Sequence, residues 1–170
     1  MTNSIKFFGL ISVAILTLAL SGCGQSTSEI IGEKTIEKMI EEQSGGQAQV
    51  DLDKGSMKIE SADGTFEAGE NTTLPTDFPE DIYVIEGKII SAITNPAIEN
   101  FSVSIETDKN LDEVSAIYQE KLKDENWKIT GTMNFGEAVS IVASKDGRSA
   151  SVMATAEGGK TTVILNAGKN

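Results

Sequence analysis

Residues 138–144, 150–154 and 161–166 alternate apolar and small polar side chains, and the dipeptides Asp146-Gly147 and Gly158-Gly159 separate them. A period of two puts every second side chain on one face of an extended chain, and Asp-Gly and Gly-Gly supply the left-handed backbone that tight hairpins need. Consecutive hairpins build an antiparallel sheet whose apolar face must be covered. The cover is encoded just upstream. Leu111, Val114, Ile117, Tyr118 and Leu122 recur at helical spacing over residues 110–126, and Asn110 and Glu113 stand where a capping box needs them. Residues 127–133 add another strand. Before the helix, Phe101, Val103 and Ile105 alternate with Ser102, Ser104 and Glu106, and this part opens with residues 82–93, strand-like over 88–93.

The upstream third has a different texture. Over residues 29–43, Ile36, Met39 and Ile40 recur at i, i+3, i+4 among Glu and Lys, and Gly45-Gly46 ends the pattern, which predicts an amphipathic helix. Its polar face is acidic, unlike that of a basic helix lying on a membrane, so it is expected to cover its own domain. Val50 and Leu52, then Met57 and Ile59, then Phe66 and Ala68 form three short alternating segments with glycine turns, a β-meander. Leu74-Pro75 and Phe78-Pro79 force extended geometry before each proline and mark a connector. The expected fold class is α+β: an antiparallel sheet with one helix packed on a face, preceded by a helix plus a short β-meander. The expected organisation is 1–22 signal peptide, 23–28 lipidated tether, 29–69 helix and meander, 70–81 connector and 82–170 α+β domain.

The N-terminus carries the sharpest motif. Lys6 precedes residues 7–20, a run without charge that is too short for the roughly 20 apolar residues of a membrane span but suits a secretory signal. It ends in Leu20-Ser21-Gly22-Cys23, which holds the only cysteine of the chain. These four residues resemble the lipobox of bacterial lipoproteins. The resemblance implies that Cys23 is the lipidation site, that Leu20, Ser21 and Gly22 are the signal-peptidase recognition residues, and that cleavage falls before Cys23. A lone exported thiol has no intramolecular disulfide partner, so lipidation is a better account of it than an ordinary cleaved signal or an uncleaved anchor. Two or three acyl chains such as palmitate hold a protein on a bilayer where one does not. Residues 24–28 then form a tether spanning little more than about 10 Å. The implied location is the cell membrane or outer membrane, on the extracytoplasmic side. Gly24 is not the aspartate associated with inner-membrane retention in lipoproteins of two-membrane cells.

The stretches "LPTDFPEDIYV" and "FSVSIETDKNLDEVSAIYQEKLKDENWKI", with the Ser- and Thr-rich meander after them, resemble a small domain of uncharacterised bacterial lipoproteins. That resemblance covers roughly the last 95 residues and implies a fold but no activity.

Charge and composition narrow the chemistry. The formal net charge is −12 across 170 residues, so phosphate backbones are repelled and no nucleic-acid partner is expected. There is no histidine, which removes the commonest general base and metal ligand together. No G-x-S-x-G, S-x-x-K, Walker or H-E-x-x-H motif occurs, and no catalytic residue, metal or cofactor is expected. Three constellations also have plainer readings. Glu86, Glu99, Glu106 and Asp108 flank one strand pair and raise the question of a glycosidase-like acid pair, but a solvated acidic surface explains them as well. Asp51-Leu52-Asp53-Lys54-Gly55 suggests calcium ligands, yet Gly55, Ser56 and Ala62 stand at positions five, six and twelve, which breaks the EF-hand pattern. Trp127, Tyr118 and Tyr83 invite a stacking platform, but their positions suit core packing better.

The expectation is therefore a non-enzymatic, membrane-anchored binding or accessory module. It is held to the membrane through lipid on Cys23 and has a possible envelope protein partner. The alternatives are a small carboxylate-dependent hydrolase of envelope glycans and a ligand or cation sensor.

Overall fold

The computed structural model describes residues 29–44, 47–51 and 55–169. The signal segment, the lipobox Leu20 to Cys23, the tether 24–28 and residues 52–54 of the calcium-like stretch lie outside the described residues. The chain divides into two units, Met1–Gly32 and Glu33–Asn170, and of the first only residues 29–32 are described. Those residues begin helix α1 (Glu29–Ser44).

The second unit is built on strands β1 (Gln47–Asp51), β2 (Ser56–Ser61), β3 (Gly64–Ala68), β4 (Lys88–Asn95) and β5 (Asn100–Thr107). Helix α2 (Leu111–Asp124) follows, then β6 (Lys128–Asn134), β7 (Ala138–Lys145), β8 (Arg148–Glu157) and β9 (Lys160–Lys169). All nine strands join one antiparallel sheet in the order β1-β2-β3-β4-β5-β9-β8-β7-β6.

This corrects the fold class expected from sequence. The meander is not a separate piece ahead of a smaller sheet with a single helix. Instead, β3 pairs with β4 from Thr65↔Thr94 to Ala68↔Ser91, so one nine-stranded sheet runs through both parts of the chain, with two α-helices among the described residues. The physical reason is the long irregular stretch between β3 and β4, which lets β4 turn back beside β3 and satisfy a row of backbone groups that would otherwise form an open edge. The strand expected over residues 88–93 is β4, which runs to Asn95. Ahead of it, Ile82 and Ile85 plug into the core from irregular backbone, and the Ile82 N–H donates to the Pro79 carbonyl at 3.2 Å.

After β5 the chain crosses the sheet as α2, reaches the far edge at β6 and returns strand by strand until β9 seals against β5. Asn110 and Glu113 form the capping box, each side chain accepting from the other's backbone N–H at 3.0 Å. Asn126 ends the helix in the left-handed region (φ 61°), and the Trp127 N–H donates to the Leu122 carbonyl at 2.8 Å. That turn swings Trp127 back under the helix. Val114, Tyr118 and Leu122 are buried against Val103, Ile105, Ile141, Val152 and Leu165.

The core does not stay on one side of the whole sheet. Register places Glu67, Ala92 and Val103 in one row on the α2 side, and Phe66, Ile93 and Ser102 in a neighbouring row on the other. Beyond β4, therefore, the side that carries the core presents Lys58 and Glu67, while Ile59 and Phe66 face the opposite way.

Candidate functional site

The irregular stretch between β3 and β4 is strapped across the core side of the sheet, and its anchorage defines the site. Phe78 is buried and meets Phe101 of β5 edge-on, with ring centroids 5.9 Å apart. Its N–H donates to the Pro75 carbonyl at 3.0 Å, closing a turn through Thr76 and Asp77. Farther along, the Trp127 indole N–H donates to the Asp81 carbonyl at 2.9 Å.

Asp81 then fastens the strap to the β7–β8 hairpin. The turn at Asp146-Gly147 brings Lys145 and Arg148 opposite each other. Arg148 grips the Asp81 carboxylate with two bonds, Nη1 to Oδ1 at 3.0 Å and Nη2 to Oδ2 at 2.6 Å. Lys145 Nζ adds a bond to Oδ2 at 2.7 Å and another to the Glu125 carbonyl at 2.7 Å. The Arg148 hydrogen bonds are the main reason the Asp81 carboxyl is held down to about 2; partial burial opposes them and Lys145 reinforces them. Asp81 in turn raises the guanidinium. The Arg148 carbon lies 4.9 Å from the centre of the Trp127 ring, so the only arginine of the chain stacks on its only tryptophan.

Strap and sheet enclose a groove with two lobes, both bordered by Asp77 and Phe101. One, of about 360 Å³, is walled by Ile82, Trp127, Arg148 and Ala167. The other, of about 300 Å³, is walled by Leu74, Pro75, Ala92, Thr94 and Pro96, with Lys58 and Glu67 at its rim. Small side chains at Ala92 and Ala167 leave the space, and Phe101 divides it. Rim charges are mostly matched: Glu99 with Lys169, and Lys58 with Glu60 at 2.8 Å and Glu67 at 3.1 Å. Asp77, exposed, has no ion pair among the described residues. Linings that mix apolar side chains with hydroxyls and charges suit binding of a small amphipathic molecule.

Of the acids singled out in the sequence, Glu86, Glu106 and Asp108 fall at one end of β5 and Glu99 at the other. Glu99 precedes β5 and Glu106 lies near its other end, about 23 Å away at the rise of an extended strand. Each is bonded to a lysine, Glu99 to Lys169 and Glu106 to Lys160. Glu86 and Asp108 flank the Glu106 end, and neither lines a lobe of the groove. Among the described residues no group of three or more Cys, Asp or Glu is arranged to hold a metal ion.

Tyr118 is fully buried, its oxygen accepts from the Ile85 N–H at 3.3 Å, and burial pushes its phenol up. Tyr83 packs edge-on against it at 6.0 Å. These two rings belong to the core, whereas Trp127 also borders the groove. Sequence reasoning missed Asp81, Lys145 and Arg148. A lone arginine beside a hairpin turn was the available signal.

Residues 90–161 match a family described as START domain-like, so the part of the chain from β4 to the start of β9 is similar to that family over less than half of the whole chain. The matched residues fall within the C-terminal part whose sequence resembles a small bacterial domain. No curated protein matches. A solved structure, the solution structure of cyanobacterial PsbP (CyanoP) from Synechocystis sp. PCC 6803, aligns over 89% of this chain and 86% of its own at 10% identity, with a TM-score of 0.39.

Proposed function

We propose that this chain is an exported, lipid-anchored binding module that works on the extracytoplasmic side of a membrane and performs no covalent chemistry of its own. The two-lobed groove beneath the strap carries the binding part of this reading. Each lobe is of ligand-site size, and its lining mixes apolar side chains with polar and charged ones. The sequence Leu20-Ser21-Gly22-Cys23 supports the anchor. Glu86, Glu106 and Asp108 line neither lobe, and Glu106 is bonded to Lys160, which speaks against the carboxylate-dependent hydrolase.

Trp127, the only tryptophan, borders the larger lobe and is a built-in reporter. Full-length protein in mild detergent is expected to transfer Trp127 excitation to the amphiphilic dye anilinonaphthalene sulfonate, and Leu74→Glu, on the wall of the smaller lobe, is expected to weaken dye binding about tenfold. Absence of transfer, or an unchanged affinity in the variant, counts against the groove. For the anchor, an alkyne-bearing fatty acid fed to growing cells is expected to label the chain and to leave Cys23→Ala unlabelled; equal labelling of both sinks the lipid assignment.

A further inference from the structure

The side of the sheet turned away from α2 carries a second surface. From β5 to β6, pairing aligns Ser104, Ile164, Met153, Ser140 and Met133 in one row across five strands. The neighbouring row is Ser102, Asn166, Ser151 and Val142, with Asn166 Nδ2 bonded to Ser151 Oγ at 3.2 Å. Neither row contains a charged side chain, although charged residues make up 24% of the chain. Met153 and Met133 are 47% and 51% exposed and stand on either side of Ser140.

We propose that this face docks against the same face of a second copy of the chain. Each copy carries −12, so two copies approach with least repulsion through the two rows that carry no charge. A two-fold axis along the central strand β8 exchanges β5 with β6 and β9 with β7, which sets Met133 over Ser104, Ile164 over Ser140, and Met153 beside its own copy. With the flanking rows, whose charged residues are Glu106 on β5 and Lys128 on β6, five strands about 4.8 Å apart and about 25 Å long offer about 600 Å² per copy, and about 1,200 Å² in total reaches the size of a specific interface. Two stacked antiparallel sheets about 10 Å apart are a standard packing. The pairing does not depend on acylation of Cys23 or on a ligand in the groove.

Near a two-fold axis a residue meets its own copy, so full-length Ser151→Cys in cells treated with a short bis-maleimide is expected to give a covalent dimer at twice the chain mass. The parent chain, with Cys23 alone, sets the background, and Glu120→Cys on the exposed side of α2 is expected to stay at it. Adding Met153→Lys to Ser151→Cys is expected to lower the dimer at least tenfold, and Met153→Leu to keep it. Because Met153 faces outward, the melting temperature of the lysine variant is expected to match that of the parent, which separates lost docking from lost fold. Background-level cross-linking at position 151, equal cross-linking at 151 and 120, an unchanged dimer in the lysine variant, or capture of a chain of different mass would each overturn the proposal.

Discussion

Asp81 shows how much one carboxylate holds together: it accepts from Arg148 and Lys145 through its side chain and from Trp127 through its carbonyl. Its folded pKa of about 2 lies below the ordinary 3.8, so the ionised form favours the folded state. That contribution is complete above pH 4 and is lost as pH falls from about 4 to 2. Because the side chain keeps some contact with water, Asp81→Asn is expected to cost about 1–2 kcal/mol at pH 7. In urea titrations the gap between variant and parent is expected to close near pH 2; a gap that persists there shows that shape, not charge, holds the strap. Tyr118→Phe tests a different kind of contact. Removing the hydroxyl leaves the buried Ile85 N–H without its acceptor, for a cost of about 1 kcal/mol at any pH below the tyrosine range.

At the scale of elements, the start of α2 and the entry to β4 make opposite demands on side chains. The helix needs Asn110 as a cap, and Asn110→Ala is expected to cost about 1 kcal/mol, a fall of about 3 °C in melting temperature. The entry to β4 needs the absence of a side chain. A Cβ on Gly87 would lie 2.3 Å from the Glu106 carbonyl oxygen and 2.9 Å from Ile105 Cγ2, so Gly87→Ala must push β4 from β5. A loss of about 1–3 kcal/mol is expected by calorimetry. Gly131→Ala, where a Cβ meets nothing within 4 Å, is the matched control and is expected to stay within about 0.5 kcal/mol of the parent.

For the whole molecule, the continuity of the sheet is the property that sequence did not reveal. Deleting residues 29–69 would uncover the β4 edge along Lys88–Asn95, where Ile89, Ile90 and Ile93 lie close together. The remaining chain is expected to melt lower and to elute as aggregates in size-exclusion chromatography. An unchanged melting temperature and a monomeric peak would mean that the first three strands are an independent annex after all. The division between what could be read and what could not follows from range. Helix α1, the capping box on α2, the hairpin turns at Gly147 and Gly158-Gly159 and the alternation of β5 to β9 rest on neighbours within a few residues, and they were legible in the chain itself. The β3–β4 and β5–β9 pairings, the change of apolar side beyond β4, and the meeting of Asp81 with Arg148 join positions far apart in the chain. A period of two fits either face of a sheet, and a carboxylate in a proline-rich stretch carries no mark of its future partner, so only the closing of the sheet and the laying of the strap across it decided where the groove would be.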